Sequence, residues 1–459
     1  MTTHVRLGVN VLASGRHDAA WKTLPDAATL STDIDAFTRI ARVAERGRID
    51  ALFLADGPGG LVEESHTRPW RALDPVTLLA ALSQSTDHIG LVATTSTIFG
   101  HPYTVARQIA SLDHISKGRA AWNIITSQTP VALAAYGLDH GFSQEDRYQR
   151  AREFAEIVTG LWDSVPQEAV VADAARNVFV DPARLRPIDV RGRHFTAKGA
   201  LSATVPPQGR PVIFQAGQSE DSKAFGAAYA DALFTGQRTL AGGQKFFADV
   251  KALARANGRD PSQLLVMPGL FPILGGTEAE ALKRKAELDE GLDIAFLHGE
   301  LARHFGLDPD DLPLDEVLPF DRIDAAESGV PIASRWPRAQ ILSEARPRGW
   351  TARQAALSNI IGGHRMVVGT PDKVADDILH WVDTGAADGF NLNIDVQTSG
   401  LEDIVDHLIP ILQARGRFRR DYEGTTLRDH LGLDHFQAGA TRGHLSVPLQ
   451  PALRTGTGD

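Results

Sequence analysis

The chain has 459 residues, 43% of them hydrophobic and 23% charged, which is ordinary for a folded chain with a large core. Its net charge of −10 argues against a nucleic-acid or anionic-membrane surface, and the absence of cysteine excludes disulfides, thiolate catalysis and cysteine-ligated metal. The N-terminus enters a strand without a signal-peptide layout, and no apolar run approaches the roughly 20 residues that span a bilayer, so a cytoplasmic protein is expected.

Val5 to Leu12 reads as the first strand, and its polar exit holds His17, Trp21 and Lys22. Ser31 to Arg46 has helical spacing, with Phe37, Ile40 and Ala44 on one face and Thr32-Asp33 as a cap. Ala51 to Ala55 is the second strand, ending at Asp56-Gly57. A loop from Pro58 to Leu73, with Glu63, Glu64 and His66, comes after it. Asp74-Pro75 starts a helix with proline in its first turn. Ile89 to Ala93 is the third strand, closing on Thr94 to Thr97, and His101-Pro102 opens the next helix. The stretch Leu112 to Ser127 is a helix end, the tight turn Lys117-Gly118-Arg119 and a fourth strand whose end is polar: Asn123, Thr126, Ser127. Glu145 to Trp162 is an amphipathic helix. Asp163 to Arg210 reads as an insertion with a short extended pair near His194-Phe195. Pro211 to Gly217, Ala232 to Gly236, Leu264 to Leu274 and Gly389 to Asp395 are strands five to eight, each followed by a helical pattern. A second insertion covers Leu292 to Trp350. Strands alternating with helices eight times predict a (β/α)8 TIM barrel, one decorated domain over 1–430 with insertions at about 163–210 and 292–350, and a tail over 431–459.

Ligands of such barrels bind at the carboxyl ends of the strands, and the polar residues gather there. Asp56 ends strand two, Thr94 strand three, Asn123, Thr126 and Ser127 strand four. Strand five runs into the turn Gln215-Ala216-Gly217-Gln218-Ser219 before a helix. Free N–H groups and the positive helix end there favour an anion, and hydroxyls at Ser219 and Ser222 would add donors to a phosphate. No HExxH occurs, and His298 and His304 are six apart, off the spacing of a helical metal pair, so no metal is expected.

Asp113-His114, Ser116-Lys117-Gly118-Arg119, Trp122-Asn123 and Thr126-Ser127 together resemble the flavin-dependent monooxygenases of the bacterial-luciferase-like superfamily. The match is to the group holding the nitrilotriacetate, dibenzothiophene-sulfone and long-chain alkane monooxygenases. Val368-Gly369-Thr370-Pro371, Ala387-Asp388-Gly389-Phe390-Asn391-Leu392 and Tyr422-Glu423-Gly424-Thr425-Thr426-Leu427-Arg428 extend it along the chain. The resemblance implies FMN across the barrel mouth with its phosphate at the turn after strand five. Asp56, Thr94, Tyr148 and Ser219 would then contact the flavin, and Asn123, Thr126 and Ser127 would line the same mouth. The family pattern His-Asp-x-Arg-Tyr departs here, with Gln144 in place of the histidine. Ser222 stands where glycine is frequent. His17, in His17-x-x-x-Trp21-Lys22, resembles a segment near the family's active site and is the candidate catalytic residue.

The activity implied by the resemblance is that of an FMNH2-dependent monooxygenase. It would use O2 through a C4a-hydroperoxyflavin to oxygenate a small organic substrate. No dinucleotide-binding G-x-G-x-x-G follows a strand. Reduced flavin would therefore come from a separate NAD(P)H:flavin reductase through a transient encounter. The resemblance also implies a homodimer or homotetramer. The alternatives are a deazaflavin-dependent dehydrogenase on the same barrel, a phosphate-binding aldolase or isomerase, and a non-catalytic flavin-binding relative. The insertion after strand seven is placed to act as a lid.

Overall fold

The computed structural model describes residues 4–57, 69–127, 129–330, 332–360 and 362–436. Residues 58–68 of the loop after strand two, with Glu63, Glu64 and His66, and the tail beyond residue 436 lie outside the described residues. Thirteen strands are described, eight of which close the barrel: β1 (Arg6–Asn10), β2 (Ala51–Leu54), β3 (Gly90–Ser96), β4 (Ala120–Ile125), then β9 (Val212–Ala216), β10 (Ala232–Thr235), β11 (Leu265–Leu274) and β13 (Gly389–Asn393). All pair in parallel, β1 with β13 completing the circle. The eight strands and their helices are those expected from the sequence. Each is a largely apolar stretch buried on both faces, and such stretches are legible because parallel strands are covered by their crossover helices.

The helices start where the expected caps sit. Asp33 accepts from Asp35 N before α1 (Ile34–Arg46), and Asp74 from Thr77 N before α2 (Pro75–Leu82). The helix α3 (Pro102–Ile115) ends in the turn Lys117-Gly118, both residues left-handed at φ 59° and 93°. Arg119 is then buried, and its guanidinium donates to the carbonyls of Ser83, Thr86 and Ile89. The strongest family-like motif thus works partly at the closed end of the barrel, locking the turn.

The insertion after α5 (Gln144–Trp162), which follows the short α4 (Pro130–Ala135), folds into two hairpins: β5 (Val170–Asp173) with β6 (Val178–Val180), and β7 (Ile188–Arg191) with β8 (Thr196–Gly199). The second is the extended pair expected near His194. Its turn is cradled by the buried Glu153, which accepts from the backbone N–H groups of Arg193, His194 and Phe195. The strand β11 is twice as long as β9, and its second half, Leu270–Leu274, projects past the barrel and pairs with β12 (Arg365–Gly369). The second insertion packs here as a helical layer with its own core, including Phe271, Ile273, Leu301, Phe305, Ile341 and Ala345.

The sequence after the last barrel helix has little periodicity, yet it forms a short helix, Leu427–Leu431. Leu427, Leu431 and Leu433 enter the same cluster as Val92, Ala121, Val212 and Leu265, and so close the amino-terminal end of the barrel. Arg428 is 1% exposed and donates to Asp231 at 3.0 Å and to the Arg210 carbonyl at 2.8 Å. A one-turn helix has no periodicity to read; tertiary contacts hold it.

Candidate active site

Along each barrel strand alternate residues face inward. The floor of the mouth is aromatic: Phe53 lies 5.9 Å from Phe214, edge-on, and 5.2 Å from Phe234. Above it stand polar strand ends. The register sets Thr94 beside Asn123, and Asn123 Nδ2 donates to Thr94 Oγ1 at 2.9 Å. Opposite, Asn10 Nδ2 donates to Asn393 Oδ1 at 2.9 Å. These pairs leave polar atoms over: Asn123 Oδ1, Asn10 Oδ1 and both amide atoms of Asn391 are buried without a hydrogen-bond partner. Buried amides are normally satisfied. A rim with both spare donors and spare acceptors suits a flat ligand that carries both.

One side of the mouth holds the turn at which the sequence leads us to expect an anion. The strand β9 passes through Gly217-Gln218-Ser219 into α6 (Glu220–Tyr229), whose N-cap is Ser219, accepting from Ser222 N at 3.2 Å. Gly217 has φ 153°, and a Cβ there would lie 2.1 Å from Ser222 Oγ. The Tyr148 hydroxyl lies 3.5 Å from Ser219 Oγ. Its ring is fixed against Phe225 at 6.1 Å. Arg147 donates to the Thr126 carbonyl at 3.0 Å and to Thr126 Oγ1 at 3.2 Å, and its Nε is buried without a partner. The two carboxylates in the first turn of α6 are both engaged: Glu220 with Lys223 at 2.6 Å, and Asp221 with Gln144 Nε2 at 2.5 Å. Two hydroxyls, the open N–H groups of the first turn and a nearby guanidinium remain to meet a phosphate.

Tyr148, Ser219 and Gln144 therefore converge, with Thr126 tied to them through Arg147, and Thr94 and Asn123 are paired. Ser127 is half-buried beyond the end of β4. Asp56 is half-buried beyond β2, accepts from Gly57 N at 2.9 Å, and burial raises its carboxyl above the usual range. Gln144 lies at the exposed rim, joined to α6. Ser222 is 1% exposed, and its hydroxyl accepts from Gln215 Nε2 at 2.8 Å, so it seats the turn from within. His17 is buried. Its Nδ1 accepts from Ala19 N at 3.2 Å, which assigns the proton to Nε2, 3.2 Å from Asp289 Oδ1. The ring ties the exit of β1 to the helix Glu278–Glu290 at the wall of a 340 Å³ cavity that Arg16, Trp70 and Arg71 also line.

Reading strand ends one at a time misses Asn10, Asn391, Asn393 and Arg147. A signal exists for the asparagines: in Gly389-Phe390-Asn391-Leu392-Asn393 the amides recur at period two, on one face of a strand. Among the described residues, no cluster of three or more His, Asp or Glu side chains could hold a metal ion, and no helix is long and apolar enough to cross a membrane.

Residues 9–388 match the model of the luciferase-like monooxygenase family. The chain belongs to that family. It is a flavin-dependent monooxygenase. It is 40% identical over 435 residues to N-acetyl-S-(2-succino)cysteine monooxygenase of Bacillus subtilis (strain 168), covering 94% of this chain and 97% of that one. It is 39% identical over 451 residues to nitrilotriacetate monooxygenase component A of Aminobacter aminovorans, covering 94% and 96%. The structure of EDTA monooxygenase from Chelativorans sp. BNC1 superposes with a TM-score of 0.78 at 35% identity, over 94% of this chain and 99% of that one. The luciferase-like resemblance carried by Asp113 to Ser127 is thereby borne out, as is the closed barrel of eight parallel strands.

Proposed function

We propose that this luciferase-like monooxygenase is the oxygenating component of a two-component system. It binds FMN in the reduced state, delivered by a separate NAD(P)H:flavin reductase, and uses O2 to oxygenate a small organic substrate. The observation that carries the choice of FMN is the convergence of the Tyr148 and Ser219 hydroxyls on the open first turn of α6, a site for a terminal phosphate on a ligand whose ring extends over Phe53, Phe214 and Phe234. Bound reduced flavin supplies the oxygen-activating chemistry. The chain's own residues hold and shield it. Arg147, Tyr148 and Ser219 anchor the phosphate end. Thr94, Asn123 and Asn391 offer hydrogen bonds to the ring, and Thr126, Ser127 and Asp56 line its approach. His17 stiffens the wall of the substrate cavity through Asp289. The helical insertion seated on the projecting half of β11 excludes water from the reacting centre. Relatives named for nitrilotriacetate, EDTA and a succinylated cysteine make polycarboxylates the first compounds to screen.

The test is anaerobic titration with FMNH2, FMN and a deazaflavin, followed by mixing with O2 under stopped-flow absorbance. Tighter binding of FMNH2 than of either competitor, with delayed return to oxidised flavin, is expected. Preference for the deazaflavin, with no reaction with O2, would favour the dehydrogenase alternative and overturn the proposal.

A further inference from the structure

His364 lies just before β12, in a stretch with no periodicity, and its ring reaches Gly269 of β11 and Phe234 of β10. Its ring is tilted against Phe234 with centroids 5.1 Å apart, so it continues the aromatic floor formed by Phe53, Phe214 and Phe234. Room for it is made on β11. A Cβ at Gly269 would lie 2.2 Å from His364 Nδ1, so only glycine admits the ring there. Gly269 is the register partner of Asn391, whose amide oxygen and nitrogen both lack partners. His364 Nδ1 is likewise buried with no hydrogen-bond partner. The unsatisfied Nδ1 of His364 thus stands over Gly269, and the unsatisfied amide of Asn391 belongs to the residue paired with that glycine on the next strand. Buried polar atoms are left this way where a ligand or ordered water completes them.

The protonation state suits a shared hydrogen bond. Burial, together with the Arg16 and Arg238 guanidinium groups that face it, pushes the His364 imidazole down to about 3. A neutral imidazole carries one N–H donor and one lone-pair acceptor. The edge of an isoalloxazine ring presents the complementary pair, an N–H flanked by carbonyl oxygens. Gln144, at the position of the family histidine, is exposed and donates to Asp221.

We propose that His364 is a further residue of the flavin site, hydrogen-bonding the ring while its imidazole face extends the aromatic floor, with Gly269 keeping the space open and Asn391 as its neighbour in the same contact. This rests on the flavin-binding reading of the barrel mouth. Its experiment separates the two.

Binding of FMN and of riboflavin, which lacks the phosphate, is measured by fluorescence quenching for wild type, His364→Phe and His364→Gln. Bound-flavin absorption spectra are recorded alongside, and far-ultraviolet circular dichroism checks the fold. The Phe variant keeps an aromatic ring and loses the hydrogen bond; the Gln variant restores a donor and an acceptor. Loss of one neutral hydrogen bond weakens FMN and riboflavin alike by about three- to tenfold in the Phe variant, with a shifted flavin spectrum, and the Gln variant recovers most of it. Folded Phe and Gln variants that bind both ligands like wild type, with unchanged spectra, overturn the assignment of His364 alone. Wild-type protein that binds neither ligand, in the reduced state as well as the oxidised one, overturns the flavin reading, and this assignment with it. If the Phe variant does not fold, the Gln variant decides: a wild-type spectrum and affinity support the hydrogen bond, and a loss as large as that of His364→Ala refutes it.

Discussion

Tyr148→Phe is the sharpest test of where the phosphate sits. The tyrosine is 7% exposed, its ring packed on Phe225, and phenylalanine fills the same space. The only group removed is the hydroxyl that faces Ser219 Oγ at 3.5 Å. In the free protein that contact is long and contributes little. In the complex the hydroxyl would donate to a phosphate oxygen, and hydrogen bonds to charged groups contribute about 1.5–3 kcal/mol. The expected loss is therefore about ten- to 150-fold in FMNH2 affinity, with melting temperature unchanged. Ser219→Ala is a poorer probe, since it also removes the α6 cap, worth about 1 kcal/mol. Anaerobic fluorescence titration with FMNH2 and reduced riboflavin is the assay. The loss should appear for the phosphorylated ligand and vanish for riboflavin. An equal loss for both, or none for either, refutes a phosphate at this turn.

Two further perturbations bear on the scaffold. Arg428→Met leaves Asp231 buried with Ile213 N at 2.9 Å and the more distant Arg259 at 3.9 Å. Breaking a buried pair from one side costs about 3–5 kcal/mol, and urea unfolding should show that loss, with partial recovery in Arg428→Met/Asp231→Asn. Unchanged stability would mean that the C-terminal helix does not close the barrel. On pH, burial lowers His364 to about 3 and His430 to about 4, while burial raises Asp113 to about 6. As pH falls below the unfolded histidine value of about 6.5, the unfolded chain binds two protons that the native state refuses, and stability drops. Asp113 acts in the opposite direction between about pH 6 and 4, where the native state holds a proton the unfolded chain has released, so it stabilises as pH falls. Below about pH 6, His430→Phe should flatten the acid-side loss by about 1.4 kcal/mol per pH unit and Asp113→Asn should steepen it. Parallel profiles for the three proteins would contradict both assignments.

The sequence by itself carried the barrel, because each buried parallel strand is a largely apolar stretch and its crossover helices begin at readable caps, such as Asp33, Asp74, Ser219 or Thr277. It also placed the polar residues Asp56, Thr94 and Asn123 towards or just beyond the carboxyl ends of their strands, as the structure has them. It could not carry the contacts between those ends. That Gln144 reaches Asp221, that Ser222 turns inward to Gln215, and that both nitrogens of His17 are spoken for depend on distances between residues 2 to 272 positions apart. The closing helix Leu427–Leu431 and the strand β12 were equally invisible, because elements so short derive their stability from what they pack on. His364 is the extreme case. Its neighbours in the chain are two glycines and an arginine, and nothing in them signals that the ring reaches β10 and β11. Only closure of the barrel brings Gly269 and Phe234 to it, because a local pattern records propensity and periodicity, whereas a binding site is made by side chains that converge in space.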